Sequence, residues 1–65
     1  MILYSRHARE QMIERGISVR EVEEAITRGT KELQQPDKML CHYKYYTVVV
    51  KRRKEDTVVI TVMLR

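Results

Sequence analysis

An α+β fold is what this sequence predicts: two N-terminal helices packed on a small, mainly antiparallel four-stranded sheet. Three observations predict it. Ser5, Gly16, Ser18 and Gly29 punctuate the first half as helix starts and stops. The second half is rich in Val, Ile, Thr and Tyr, residues that suit a pleated, half-buried surface. A chain of 65 residues can enclose only one core, hiding roughly 60% of the surface its unfolded form exposes. Helices and strands must therefore share that core, as one domain over residues 1–65.

Ser5 is the N-cap of a helix from about Arg6 to Arg15, with Ala8, Met12 and Arg15 on one stripe and Ile13 beside it. Gly16 takes the left-handed position that ends it, and Ile17 folds the chain back. Ser18-Val19-Arg20-Glu21 reads as a capping box opening a second helix from about Val19 to Arg28. Val19, Val22, Ala25 and Ile26 form its apolar face. Glu21, Glu23 and Glu24 sit in its first half, where they favour the helix dipole. Gly29 stops it. Helices this short need a surface to cover.

Strands supply it. Thr30 to Gln35 is a weak strand, and Pro36-Asp37-Lys38 a turn. Strands follow over Met39–Tyr43, Tyr45–Arg53 and Thr57–Leu64, with Lys54-Glu55-Asp56 as the last hairpin tip. The break near Lys44 has no glycine or proline to mark it. Val58, Ile60, Val62 and Leu64 alternate with Val59, Thr61 and Met63, so both faces are apolar and this strand is central. Ile2 to Tyr4 can add a short edge strand.

Composition narrows the function. There is no apolar run long enough to cross a membrane and no signal peptide, and the one cysteine excludes an internal disulfide. A cytoplasmic protein is expected. Two histidines and one cysteine are too few for a zinc staple, and neither a metal nor a cofactor is expected. Residues 1–32 balance six basic with six acidic side chains, whereas residues 33–65 hold seven basic and three acidic ones. The whole net charge of +4 thus lies in the second half, which is the candidate footprint for a polyanion. Lys51, Arg52, Arg53 and Lys54 are its most basic run, with Lys51 and Arg53 on one strand face and Arg52 on the other. Tyr46, in the His42–Tyr46 stretch that mixes aromatics with cations, is a candidate base-stacking residue. His7, in the first turn of a helix, is suited to proton transfer near neutrality. Arg15 lies about 80° further round the same helix.

The stretch Ser5-Arg6-His7-Ala8 through Arg15-Gly16-Ile17-Ser18, followed by Val22-Glu23-Glu24-Ala25-Ile26 and Gly29, resembles a family of small prokaryotic proteins defined as a domain of unknown function. Its members read Ser-x-His-Ala, then Arg-Gly-Ile-Ser, and close on a strand like Val59-Ile60-Thr61-Val62. That family is similar in layout to the RelE, ParE and BrnT toxin–antitoxin ribonucleases. The resemblance implies a RelE-like fold, metal-independent RNA cleavage, and His7, Arg15 and Thr61 as catalytic candidates. In such a reaction the RNA 2′-hydroxyl attacks the adjacent phosphate. It also implies RNA and an antitoxin-like protein as partners. Exposed sheet edges make a homodimer a further expectation. Two other readings stay open: a non-catalytic RNA- or DNA-binding module and a protein-interaction domain.

Overall fold

The computed structural model describes all of residues 1–65. Its elements run β1 (Ile2–Tyr4), α1 (Arg6–Arg15), α2 (Val19–Arg28), β2 (Thr30–Gln34), β3 (Lys38–Tyr43), β4 (Tyr46–Arg53) and β5 (Asp56–Leu64). The sheet has five strands in the order β1-β5-β4-β3-β2. The expected four-stranded sheet is therefore extended by Ile2–Tyr4, which pairs in parallel with Thr57–Val59. All other pairings are antiparallel. β5 is an interior strand, paired with β1 on one side and β4 on the other, in keeping with its two apolar faces.

Both helices lie on one face of the sheet. Ala8 and Met12 of α1, Ile17, and Val22 and Ala25 of α2 form one cluster with Cys41, Tyr46, Val48, Val50, Val59 and Val62. The α1 stripe is narrower than the sequence suggests: Ile13 is 84% exposed, and Arg15 is also exposed. Val19 at the start of α2 likewise faces water. Thr47 and Val49 are buried outside this cluster, because alternation turns them to the other face. There the neighbouring strands shield them: Thr47 lies between His42 and Met63, and Val49 between Leu40 and Thr61.

The helix signals act as the sequence predicts. Gly16 adopts φ 67°, and the N–H of Ile17 reaches the Met12 carbonyl at 2.9 Å, closing α1. The Ser18–Glu21 capping box is complete, at 3.1 and 2.9 Å. Gly29 has a different reason from Gly16. Its backbone is extended, but a Cβ there would collide with the Ala25 carbonyl oxygen and stand 2.8 Å from that of His42. Only glycine lets the end of α2 press onto β3.

One irregularity places α1. The β4–β5 register shifts between Val49, opposite Thr61, and Val50, opposite Val59, which leaves Ile60 as a bulge. The Ser5 hydroxyl donates to the Ile60 carbonyl at 2.8 Å and accepts from the Ala8 N–H at 3.0 Å. One side chain thus caps α1 and satisfies the bulge. Two of the three hairpin turns, at Lys44 and Lys54, put a lysine rather than a glycine in the left-handed region, at φ 51° and 58°. That is why no glycine marks either break.

Candidate nucleic-acid interface

Five of the seven cations of the second half, Lys38 and Lys51 to Lys54, gather at one end of the sheet, while Lys44 and Arg65 lie at the other. Register places Lys38 of β3 opposite Lys51 of β4, and Arg53 opposite Asp56. Like charges directly opposite would repel. Asp37 relieves this pair, its carboxylate lying 3.1 Å from the Lys51 ammonium. Asp56 is occupied by the terminal amine at 3.6 Å. Lys38, Arg52, Arg53 and Lys54 are exposed and in no ion pair. Alternation divides them as expected: Lys51 and Arg53 share the face opposite the helices, and Arg52 points to the helix side.

On the helix side this end of the sheet is uncovered. A ten-residue helix such as α2 is about 15 Å long, whereas the eight residues of β4 beneath it run about 27 Å. Past the last turn of α2 lies a cleft of about 360 Å³. Ile26, Leu33, Met39, Cys41 and Val50 give it apolar walls and floor; Lys31, Lys38 and Arg52 are its cations, and Asp37 its carboxylate. The Lys31 ammonium donates to the Gly29 carbonyl at 2.7 Å, which holds it over the end of α2. Burial pushes the Cys41 thiol up, against a smaller opposing pull from Lys31, so this cysteine is an apolar lining residue at neutral pH. Sequence reading missed Lys31, which lies in the electrically balanced half. The strand alternation of β2 was the signal that could have found it.

Tyr46 does not belong to a contact surface. It is fully buried, and its hydroxyl donates to the Glu21 carbonyl at 2.8 Å. The reason is register: Tyr46 opens β4 in step with Val48 and Val50, on the helix face. Its ring packs edge-on against Tyr43 and Tyr45, and Tyr45, half-exposed, donates to the Glu21 carboxylate at 3.1 Å.

His7 and Arg15 are both exposed, eight residues apart on α1 and about 12 Å apart along its axis. Arg15 donates to Gln11 at 3.0 Å. Thr61 is half-buried on β5, facing away from the helices beside Val49. Because Ser5 is tied to Ile60, α1 starts at the edge of β5, next to Thr61. His7 and Thr61 thus flank one strand edge, on opposite sides of the sheet, while Arg15 sits at the far end of the helix.

A polar chain that sequence reading missed crosses the open face. Thr47 Oγ1 and Glu32 Oε1 each lie 2.8 Å from a ring nitrogen of His42. With the proton on Nε2, the imidazole donates to the carboxylate and accepts from the threonine. Both nitrogens are occupied and Thr47 is 3% exposed, so the chain fastens β2 and β3 to β4 rather than presenting a nucleophile. Only strand register brings these three residues together. No group of three or more His, Cys, Asp and Glu side chains converges as a metal-ligand set, and no helix is long and apolar enough to cross a membrane.

No curated protein and no solved structure matches the chain. A family model does match, over residues 4–64, from the last residue of β1 to the end of β5. Both helices, strands β2 to β5 and the core cluster lie within it, and the chain belongs to the family described as Domain of unknown function (DUF4258).

Proposed function

We propose that the protein binds RNA through the cationic end of its sheet. The observation that carries this reading is convergence: Lys38, Arg52, Arg53 and Lys54 meet there from two strands and a turn, with no ion pair among them. Cations placed so replace the counterions of a phosphate chain, and the release of those ions drives binding.

A second reading, a toxin-like metal-independent endoribonuclease with a RelE-like fold, is supported by how the resemblance residues are spent. Ser5 caps α1 and anchors the bulge, Ala8 and Ile17 are core, Gly16 ends α1 and Ser18 caps α2. His7 and Arg15 do none of this. In that reaction the 2′-oxygen attacks the adjacent phosphorus, His7 accepts the hydroxyl proton, and the P–O bond to the 5′-oxygen breaks. That oxygen takes a proton, leaving a 2′,3′-cyclic phosphate and a 5′-hydroxyl. Arg15, at the far end of α1, holds a neighbouring phosphate. The antitoxin-like partner implied by this reading would meet the outer edge of β2, whose five residues are all exposed.

Purified protein incubated in EDTA with end-labelled mixed-sequence RNA tests both. Retarded RNA without fragments supports binding alone. Fragments ending in cyclic phosphate, absent with His7→Ala, establish the ribonuclease. RNA that is neither retarded nor cut removes both readings.

A further inference from the structure

We propose that the cleft past the end of α2 receives one unstacked nucleotide of a single RNA strand, its base on the apolar floor and its phosphate against the Arg52 guanidinium. The proposal rests on the RNA reading above. It adds a site on the helix side of the sheet, the face opposite Lys51 and Arg53.

Shape and charge argue it together. The cleft, at about 360 Å³, has the size of a small-molecule site. Its floor is formed by Met39, Cys41 and Val50, and the last turn of α2 closes one side with Ile26. The rim is cationic, because its one carboxylate, Asp37, is already held by Lys51 at 3.1 Å. The Lys31 ammonium uses one proton on the Gly29 carbonyl, at 2.7 Å, and keeps two for a ligand.

The combination selects among ligands. A purely apolar molecule would strip water from the rim cations and offer them nothing in return. Inorganic phosphate alone would leave the floor unfilled. A duplex keeps its base faces inside the stack, whereas a single strand can splay one out. A nucleotide supplies both the apolar ring and the anion. Met39, Cys41 and Val50 hold the base by shape, and the polar groups of Gln34, Gln35 and Thr57 line the rest of the cleft.

Amide chemical shifts of the labelled protein, titrated with adenosine 5′-monophosphate, adenosine and inorganic phosphate, test the idea. The monophosphate should move Lys31, Met39, Cys41 and Arg52, and each of the other two should bind about tenfold more weakly. Arg52→Gln should lower affinity for the monophosphate by a similar factor while the remaining spectrum stays folded. Equal binding of phosphate and monophosphate, or shifts confined to Lys51 and Arg53, overturns the proposal. Leu33→Trp, which fills the cleft from the exposed edge strand, separates the two readings. If this variant retards RNA as wild type does, the cleft is not the base site and the RNA reading stands. If adenosine 5′-monophosphate occupies the cleft but RNA is never retarded, the cleft is a nucleotide site and the RNA reading falls.

Discussion

The Tyr46 hydroxyl donates a 2.8 Å hydrogen bond to the main-chain carbonyl of Glu21, joining the first residue of β4 to the first turn of α2. The side chain of Glu21 closes the same junction. One carboxylate oxygen accepts the Ser18 N–H at 2.9 Å and the other the Tyr45 hydroxyl at 3.1 Å. The Ser18 N–H first, then the hydroxyls of Tyr45 and Ser18, holds this carboxyl below the usual glutamate range. Helix α2 is thus fixed to the sheet by polar contacts at its start and by Gly29 at its end.

Tyr46→Phe should lose that buried bond, costing about 1 kcal/mol and lowering Tm by about 4–8 °C in thermal unfolding followed by circular dichroism. Burial, aided by Glu21 and Glu24, pushes the Tyr46 phenol up to about 12, against about 10 in an unfolded chain. The unfolded state therefore releases its proton first, and stability falls as pH rises from about 10 to about 12. Tyr46→Phe should flatten that alkaline decline. An unchanged decline would place its origin elsewhere.

Tyr4 provides the opposite case. Its hydroxyl is buried without a hydrogen-bond partner, and burial, then the charge of Glu23, raises its pKa. Removing an unsatisfied buried polar group relieves a desolvation cost of about 1–3 kcal/mol. Tyr4→Phe should therefore leave the denaturant midpoint unchanged or raise it. A lower midpoint would mean that the hydroxyl has a partner, such as a bound water.

The glycines should also differ. Gly16→Ala meets no atom but must hold φ 67°, a cost of about 1 kcal/mol. Gly29→Ala presses a methyl group onto two backbone carbonyls, of Ala25 and His42, which have no flexible end to move aside. Urea unfolding should rank Gly29→Ala as clearly the worse. The reverse order would show that α2 can lift from β3 at little cost.

Much of this was legible in the sequence, and the limits are physical. Caps are local chemistry, so Ser5, Gly16 and the Ser18–Glu21 box could be read directly. β1, over Ile2–Tyr4, could be read as a short edge strand, but three residues are too few for periodicity to identify its partner, over fifty residues away in β5. The facing of Tyr46 depended on where the turn at Lys44 falls, and a lysine in the left-handed region leaves no mark there. The His42 chain depended on register: Glu32 and Thr47 lie ten residues before and five after it, separations that acquire meaning only once strands pair. The candidate site was half legible for the same reason. Its charge could be counted, but the cleft exists because α2 is shorter than the strands beneath it.

The cations need not contribute equally to RNA binding. Each phosphate contact on a single strand adds about 0.7 to the slope of log affinity against log salt. Arg53 is exposed and unpaired, whereas Lys51 must first leave Asp37. Arg53→Ala should lower the slope by about that amount and Lys51→Ala by less, measured by fluorescence anisotropy across salt concentrations. Equal losses would show that the Asp37 pair opens freely on binding.

The interior place of β5 bears on how the protein is made. α1, β1 and β4 all rest against this last strand. At about 5–20 residues per second, residues 29–64 follow the helices by a few seconds, so α1 is made before the strand that carries it. Until β5 joins them, Ala8, Met12 and Val22 lack a complete sheet to lie on, and a chain that has not yet placed this strand is open to chaperones and proteases.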